Sequence, residues 1–393
     1  MTAARRAPVL RLKRGRERPL VHPWIFKGDV ASVSDVAPGD PVTVLDAGGR
    51  FVGRGFFNAR PALCCRLLTR VDEALDAAFF ARRIAEAAAW RAPGGVPPAL
   101  GRLVWSEGDG LPGLVVDRYG AVLVIQCVTL GMARVRDTAV AALRGVLGDL
   151  RVYLADDETP ARLEGFAPQR GWLGPPGPDA VVVDEGGPRF AVTFGRGHKT
   201  GLYLDQRENR AVVAPVARGR DVLDAFAYTG GFAVHALVAG ARRAVCLESS
   251  PDAIAGLGEN LALNAVEDRA QIVAGNAFDE LRRLERGRAR FGLIVLDPPP
   301  FARGRTALAA ALRGYKEINL RAMRMLEPGG VLATFSCSHH VDDAAFMDVC
   351  REAAADAGVP LRVRRTLGQS ADHPVLLAVP ETGYLKGLLL EAV

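Results

Sequence analysis

The chain has 393 residues, 49% of them apolar, and a formal net charge of +6. This predicts two or three domains around sizeable cores, with a charge that admits a nucleic-acid partner without requiring one. Residues 1–7 lack the apolar core of a signal peptide, and no unbroken apolar run reaches about 18 residues, which excludes a membrane-spanning helix. The six cysteines are scattered without metal-type spacing, so free thiols, a reducing cytoplasm and no metal site are expected.

Residues 1–73 hold short strand-like pieces, Val9–Leu12, Pro41–Leu45, Phe51–Arg54 and Cys64–Leu68, punctuated by Pro38-Gly39-Asp40 and Gly48-Gly49. Strands at this spacing predict a small β-barrel. Within it Arg11, Lys13, Arg14, Arg16 and Arg18 precede Trp24 and Phe26, a mixture suited to phosphate contact and base stacking. Residues 74–186 predict a second, α+β region. An alanine-rich helix spans Glu73–Trp90, strands lie at Leu114–Asp117 and Ala121–Gln126, a helix spans Ala133–Leu147, and strands follow near Ala180–Val183 and Phe190–Phe194. The literal G-x-G-x-x-G at Gly108, Gly110 and Gly113 is read as a plain turn, because a strand-like run follows it and Pro112 interrupts it.

From residue 187 onward, strand-like and helix-like runs alternate. The strands are Asp221–Asp224, Ala244–Leu247, Gln271–Ala274, Phe291–Leu296 and Val331–Phe335, with two more near Leu361–Arg365 and Tyr384–Leu390. Helices are expected at Pro251–Asn264 and Ala307–Met325. This is the βαβ rhythm of a doubly wound α/β sheet, whose ligands bind beyond the carboxyl ends of its strands. Asp224 ends the first strand and leads through Phe226 and Gly230 into a helix. One glycine pair does not make a pyrophosphate cradle, which leaves a dehydrogenase a distant reading. Glu248 ends the second strand, where an acid can accept ribose hydroxyls, and Asn276 ends the third, where an amide can meet an adenine edge. The apolar run Phe291–Leu296 stops at Asp297-Pro298-Pro299-Pro300, followed by Phe301, while Val331–Phe335 delivers Ser336-Cys337-Ser338. Prolines cannot continue a ladder. A carboxylate and a thiol at one sheet edge point to chemistry on a nucleobase.

Together these segments resemble the RlmI-like family of bacterial 23S rRNA 5-methylcytosine methyltransferases. The resemblance is carried by His198–Arg207, Tyr228-Thr229-Gly230-Gly231-Phe232, the Asp297-Pro298-Pro299 loop and Ser336-Cys337-Ser338. Upstream it extends to Gly15–Arg18 with His22–Phe26 and to Asp109–Gly113 with Val116–Gly120. Three places depart from the family pattern: Pro300, Asn276 and the stretch Ala155–Thr159. The resemblance implies a PUA-like RNA-binding domain over 1–73, a central α+β domain over 74–186 and a Rossmann-like class I methyltransferase domain over 187–393. It implies S-adenosylmethionine as cofactor and ribosomal RNA as partner, with no membrane partner and a homodimer left open. Lys199, Thr200, Asp205 and Gln206 would lie beside the cofactor, with Asp224, Phe226 and Gly230 under its methionine end, Glu248 at the ribose and Asn276 at the adenine. Cys337 would be the nucleophile and Asp297 the group holding the base, with Phe301 stacking on it; His339 and His340 leave the proton acceptor open. Two alternatives remain: N-methylation of a purine in rRNA, and a non-catalytic RNA-binding or ribosome-assembly protein of the same fold.

Overall fold

The computed structural model describes residues 8–15, 22–92, 99–195, 202–301 and 307–393. They fall into two compact units: the described residues up to Asp179 together with Ala371–Gly383, and the remainder.

In the first unit, β1 (Val9–Leu12), β2 (Trp24–Phe26), β3 (Val30–Val33), β4 (Pro41–Leu45), β5 (Phe51–Phe57) and β6 (Leu63–Thr69) form one sheet in the order β2-β6-β5-β4-β1-β3. Alternate residues of β1 and β4 point inward, so Leu10, Leu12, Val42 and Val44 meet Ile25, Phe57 and Leu67 in one apolar core. Gly55 is needed where β5 bulges against β6, since a Cβ there would stand 2.1 Å from the Arg66 carbonyl oxygen. Of the basic cluster, Arg11 and Lys13 donate to backbone carbonyls and Arg14 is exposed; Arg16 and Arg18 lie outside the described residues.

The second sheet of this unit has the order β11-β10-β9-β8-β7, from β7 (Leu100–Trp105), β8 (Leu114–Tyr119), β9 (Val122–Cys127), β10 (Arg151–Ala155) and β11 (Arg170–Trp172). Helices α1 (Ala77–Arg91), α2 (Leu130–Arg134), α3 (Arg136–Leu147) and α4 (Glu158–Glu164) accompany it. The first helix starts later than its alanine content predicts, because the Asp76 side chain caps it by accepting from the Phe79 N–H. The helix expected over Ala133–Leu147 is two helices broken at Val135. The Gly108–Gly113 turn enters β8, a strand, as its following apolar run predicts. Asp156, in the stretch that departs from the family pattern, is fully buried and accepts from the Cys127 and Gln169 N–H groups and from Arg136, which makes it an anchor of this sheet.

The second unit opens with the hairpin β12 (Ala180–Asp184) and β13 (Arg189–Thr193). Its main sheet has seven strands in the order β16-β15-β14-β17-β18-β20-β19. They are β14 (Asp221–Ala225), β15 (Arg243–Glu248), β16 (Ala270–Ala274), β17 (Phe291–Leu296), β18 (Leu326–Ser336), β19 (Leu361–Gly368) and β20 (Lys386–Ala392). The first five run parallel and β20 is antiparallel to both neighbours. Helices α5 (Arg207–Val213), α6 (Gly231–Val238), α7 (Pro251–Leu263), α8 (Ala277–Arg286), α9 (Leu308–Arg324) and α10 (Asp343–Ala357) complete the unit. All six residues of β17 are buried, the signature of a strand covered on both faces. Leu223, Ile294, Leu296 and Leu332 share a core with Tyr315 and Ile318 of α9 and Phe346 of α10. Strand order reverses between β14 and β17, so their carboxyl ends flank the topological switch point. No described helix is long and apolar enough to cross a membrane.

A buried ion pair ties the hairpin of this unit to the segment that enters the sheet edge. Glu185 accepts from Arg210 Nε and Nη2 at 2.6 and 2.8 Å, and Arg210 Nη1 donates to the Tyr203 carbonyl at 3.0 Å. Burial opposes the Glu185 charge, but the Arg210 guanidinium and His235 outweigh it and hold the carboxyl down at about 2. A carboxyl depressed in the folded state stabilises above its unfolded pKa, and that contribution fades as pH falls through the folded value. Glu185→Gln is therefore expected to lose about 3 kcal/mol at neutral pH and to flatten the stability profile between about pH 4.5 and 2. All four tryptophans lie in the first unit, so hydrogen-exchange mass spectrometry of the β13 peptide is the measurement to use.

Candidate active site

The candidate site residues stand at five neighbouring parallel strand ends, those of β16, β15, β14, β17 and β18. After β14 the chain turns through a loop whose backbone is costly to hold: Phe226 and Tyr228 sit at φ 67° and 50°, in the left-handed region. Non-glycine residues there cost on the order of 1–3 kcal/mol each and cluster at functional loops. Gly230 continues the turn at φ 84°, and a Cβ on it would stand 2.3 Å from Leu257 Cδ1, so glycine is required.

Two carboxylates hold this loop. Asp224 Oδ2 accepts from the Ala233 N–H at 2.9 Å, fastening the strand end to the start of α6. Glu248 Oε2 accepts from the Tyr228 N–H at 2.8 Å, while its Oε1 accepts from Ser249 and Ser250 at 2.7 and 2.8 Å. Asp224 is 1% exposed. Burial pushes its carboxyl up to about 7, with the nearby charges of Asp297 and Glu248 adding to the rise and the Ala233 N–H opposing it. Three acidic groups thus share a small volume, a setting that favours a cationic guest.

Asp297 follows β17, and its Oδ1 accepts from Gln206 Nε2 at 3.0 Å. Gln206 in turn accepts from Asn209 Nδ2 at 2.6 Å. Cys337 follows β18. Its half-buried thiol points at the neighbouring strand end, where Sγ lies 3.7 Å from the Pro298 carbonyl oxygen. The thiol therefore reaches the backbone of the residue that follows Asp297, at the neighbouring strand tip.

Asp205 is buried and accepts the Tyr384 hydroxyl at 2.5 Å, and its carbonyl accepts from the Ser370 N–H at 2.8 Å. Tyr203 packs edge-on against Tyr228 at 4.9 Å; its hydroxyl is pushed up by burial and by Tyr228, Asp297, Asp205 and Cys337, which keeps it neutral. Asn276 is exposed, and its Oδ1 caps α8 by accepting from the Phe278 N–H at 2.9 Å. Phe301 is partly buried, and its ring lies against Tyr315 at 4.6 Å, Phe278 at 5.5 Å and Phe226 at 6.3 Å. It is part of a wall of aromatic rings. Lys199 and Thr200 lie outside the described residues. Tyr203 and Tyr384 carry no local sequence signal of their places, which depend on contacts between distant segments.

The strained loop, the acidic group ending β15 and the absence of a triple-glycine cradle fit a nucleoside cofactor bearing a sulfonium and an amino acid, and not a dinucleotide. Comparison with known proteins agrees. A family model for S-adenosylmethionine-dependent methyltransferases matches residues 168–389, and one for a PUA-like domain matches residues 10–70. "Ribosomal RNA large subunit methyltransferase I" of Shewanella denitrificans is 40% identical over 97% of this chain and 98% of its own length. The protein of the same name from Cronobacter sakazakii is 37% identical over 96% and 97%. Among solved structures, a candidate S-adenosylmethionine-dependent methyltransferase from Streptococcus mutans shares the fold at TM-score 0.83 and 19% identity, covering 98% of this chain and 99% of that one. A candidate methyltransferase complexed with SAH aligns at TM-score 0.82 and 19% identity, covering 98% and 99%. The chain belongs to the S-adenosylmethionine-dependent methyltransferases, within the group whose curated members are named ribosomal RNA large subunit methyltransferase I.

Proposed function

We propose that this protein methylates carbon 5 of a cytosine in 23S rRNA through a covalent adduct on Cys337. The observation that carries the reading is the thiol of Cys337 lying 3.7 Å from the carbonyl of Pro298, beside Asp297. Carbon 5 of cytosine is a weak nucleophile. Addition of the Cys337 thiolate to carbon 6 forms a C–S bond and moves the 5,6 double-bond electrons onto an enamine, which makes carbon 5 reactive. The bound cofactor supplies an electrophilic methyl group on a sulfonium. Once carbon 5 carries the methyl group, a base takes the carbon 5 proton, the double bond re-forms and the thiolate leaves. Asp297 holds the exocyclic amine and ring nitrogen of the base, and a proton on its carboxyl neutralises the ring nitrogen as carbon 6 is attacked.

In this reading Lys199, Thr200, Asp205 and Gln206 line the cofactor, and Asp224, Phe226 and Gly230 lie under its methionine end. Three backbone N–H groups occupy three of the about four lone-pair sites of the Glu248 carboxylate, and the one left on Oε2 takes a ribose hydroxyl. Asn276 meets the adenine. Residues 1–73 bind RNA, 74–186 form the central domain, and 187–393 carry the chemistry, in the cytoplasm.

Asp224 gives a pH signature to cofactor binding. With its carboxyl at about 7, it is mostly protonated below neutrality when the site is empty. A cationic guest favours the charged carboxylate, so binding releases a proton there. S-adenosylmethionine affinity is expected to rise by up to about tenfold per pH unit as pH approaches 7 from below, then level off. Calorimetry at pH 6 in buffers of different ionisation enthalpy reads the released proton, and Asp224→Asn is expected to abolish that release.

The function is tested by mapping methylation in RNA from cells lacking the gene and restoring it with purified protein. Restoration of 5-methylcytosine at one 23S position supports the reading. A restored N-methylpurine overturns it in favour of amine methylation, and failure to bind S-adenosylmethionine favours an assembly role.

A further inference from the structure

Lys386 opens β20, where it pairs with Ser336 across one ladder and Gly368 across the other. It is 6% exposed. Its Nζ donates to the carbonyls of Ser338 and Tyr384, both at 2.8 Å. Ser338 is the residue after Cys337, so a buried ammonium grips the backbone that carries the thiol. Burying a charge is expensive, and an apolar side chain would fill the same strand position at lower cost. A lysine held there by two carbonyls calls for a role in the site.

We propose that Lys386 is a positioning residue for Cys337: it fixes the Ser336–Ser338 segment, and its charge favours the thiolate. This rests on the reading of Cys337 as the nucleophile. The groups around the thiol show why a cation is needed. Asp297 follows the facing strand and opposes a second negative charge. Tyr203 and Tyr315 are both pushed up, first by burial, and stay neutral. His339 is exposed, and its ring lies tilted beside Tyr384 at 6.0 Å. Burial pulls the Lys386 ammonium down, while Asp343, Cys337 and Asp342 act to keep it charged. The coupling between Cys337 and Lys386 is reciprocal: a thiolate that stabilises the ammonium is stabilised by it to the same degree.

The test is alkylation of Cys337 by iodoacetamide, followed by intact-protein mass spectrometry across pH in the absence of RNA. The other five cysteines are buried, so the fast phase reports Cys337. Lys386→Met is expected to raise the midpoint of alkylation by about one pH unit and to slow it about tenfold at neutral pH. Lys386→Arg is expected to restore at least half of the shift. Methyl transfer by Lys386→Met would recover as pH rises, which loss of folding or of a merely structural contact would not produce. A Lys386→Met midpoint equal to that of the unaltered protein overturns the inference. Should that variant not fold, the unaltered protein decides: a midpoint at or above the ~8.5 of free cysteine overturns the inference, and a lower one supports it. Because alkylation needs no RNA, a shifted midpoint with a product other than 5-methylcytosine would sink the proposed reaction and leave the role of Lys386 standing.

Discussion

Replacing Cys337 with alanine is expected to lower methyl transfer by at least about 10⁴-fold, the scale lost when a covalent nucleophile is removed. Cofactor affinity should stay within about twofold, because the groups proposed to hold the cofactor derive from other strand ends. The fold should survive. Cys337 is half-buried, and its long contact from sulfur to the Pro298 carbonyl is a weak bond whose loss costs little. The two effects are separated by calorimetry with S-adenosylmethionine and by single-turnover assays with labelled cofactor. RNA carrying 5-fluorocytosine sharpens the test: the fluorine blocks loss of the carbon 5 substituent, so the unaltered protein should accumulate a covalent complex and Cys337→Ala none. Full activity in the variant would remove the covalent route and leave amine methylation as the better reading.

What the sequence made legible follows a physical pattern. Strands buried on both faces read as unbroken apolar runs, and the groups that stop them stand out: Asp224 before a glycine turn, Glu248, Asp297 before three prolines, and Cys337 between serines. Parallel neighbours in a doubly wound sheet all present their carboxyl ends to one edge, so these residues could be assigned to one place before any contact was known. Lys386 and Tyr384 could not. Their approach to Cys337 and Asp205 depends on antiparallel pairing of β20 with β18, strands separated by some fifty residues, and no local pattern encodes that register. The ring neighbours of Phe301 were hidden for a related reason: only the packing of α8 and α9 brings Phe278 and Tyr315 against it. The late start of α1 and the break at Val135 came from a capping aspartate and a change of backbone direction, which alanine content does not report.

Asp297→Asn is expected to split catalysis from binding. An asparagine can keep the pattern a cytosine needs, with its oxygen accepting from the exocyclic amine and its nitrogen donating to the ring nitrogen. It can also keep contact with Gln206, whose Nε2 now donates to Asp297 Oδ1 at 3.0 Å. What it cannot do is give up a proton as negative charge builds on the ring during attack at carbon 6. The expected result is a KM for RNA within a few-fold of the unaltered protein and a kcat lower by about 10²–10⁴-fold, the range of a lost general acid. Asp297→Ala should raise KM as well, since both hydrogen bonds to the base disappear. Trapping with 5-fluorocytosine RNA should slow in both variants, because the missing proton acts before the methyl group moves. If Asp297→Asn instead raised KM with kcat unchanged, Asp297 would be a grip on the base alone, and the proton for the adduct would have to come from another group at this edge. The two buried neighbours already hydrogen-bonded to each other, Tyr384 and Asp205, would then be the first to exchange.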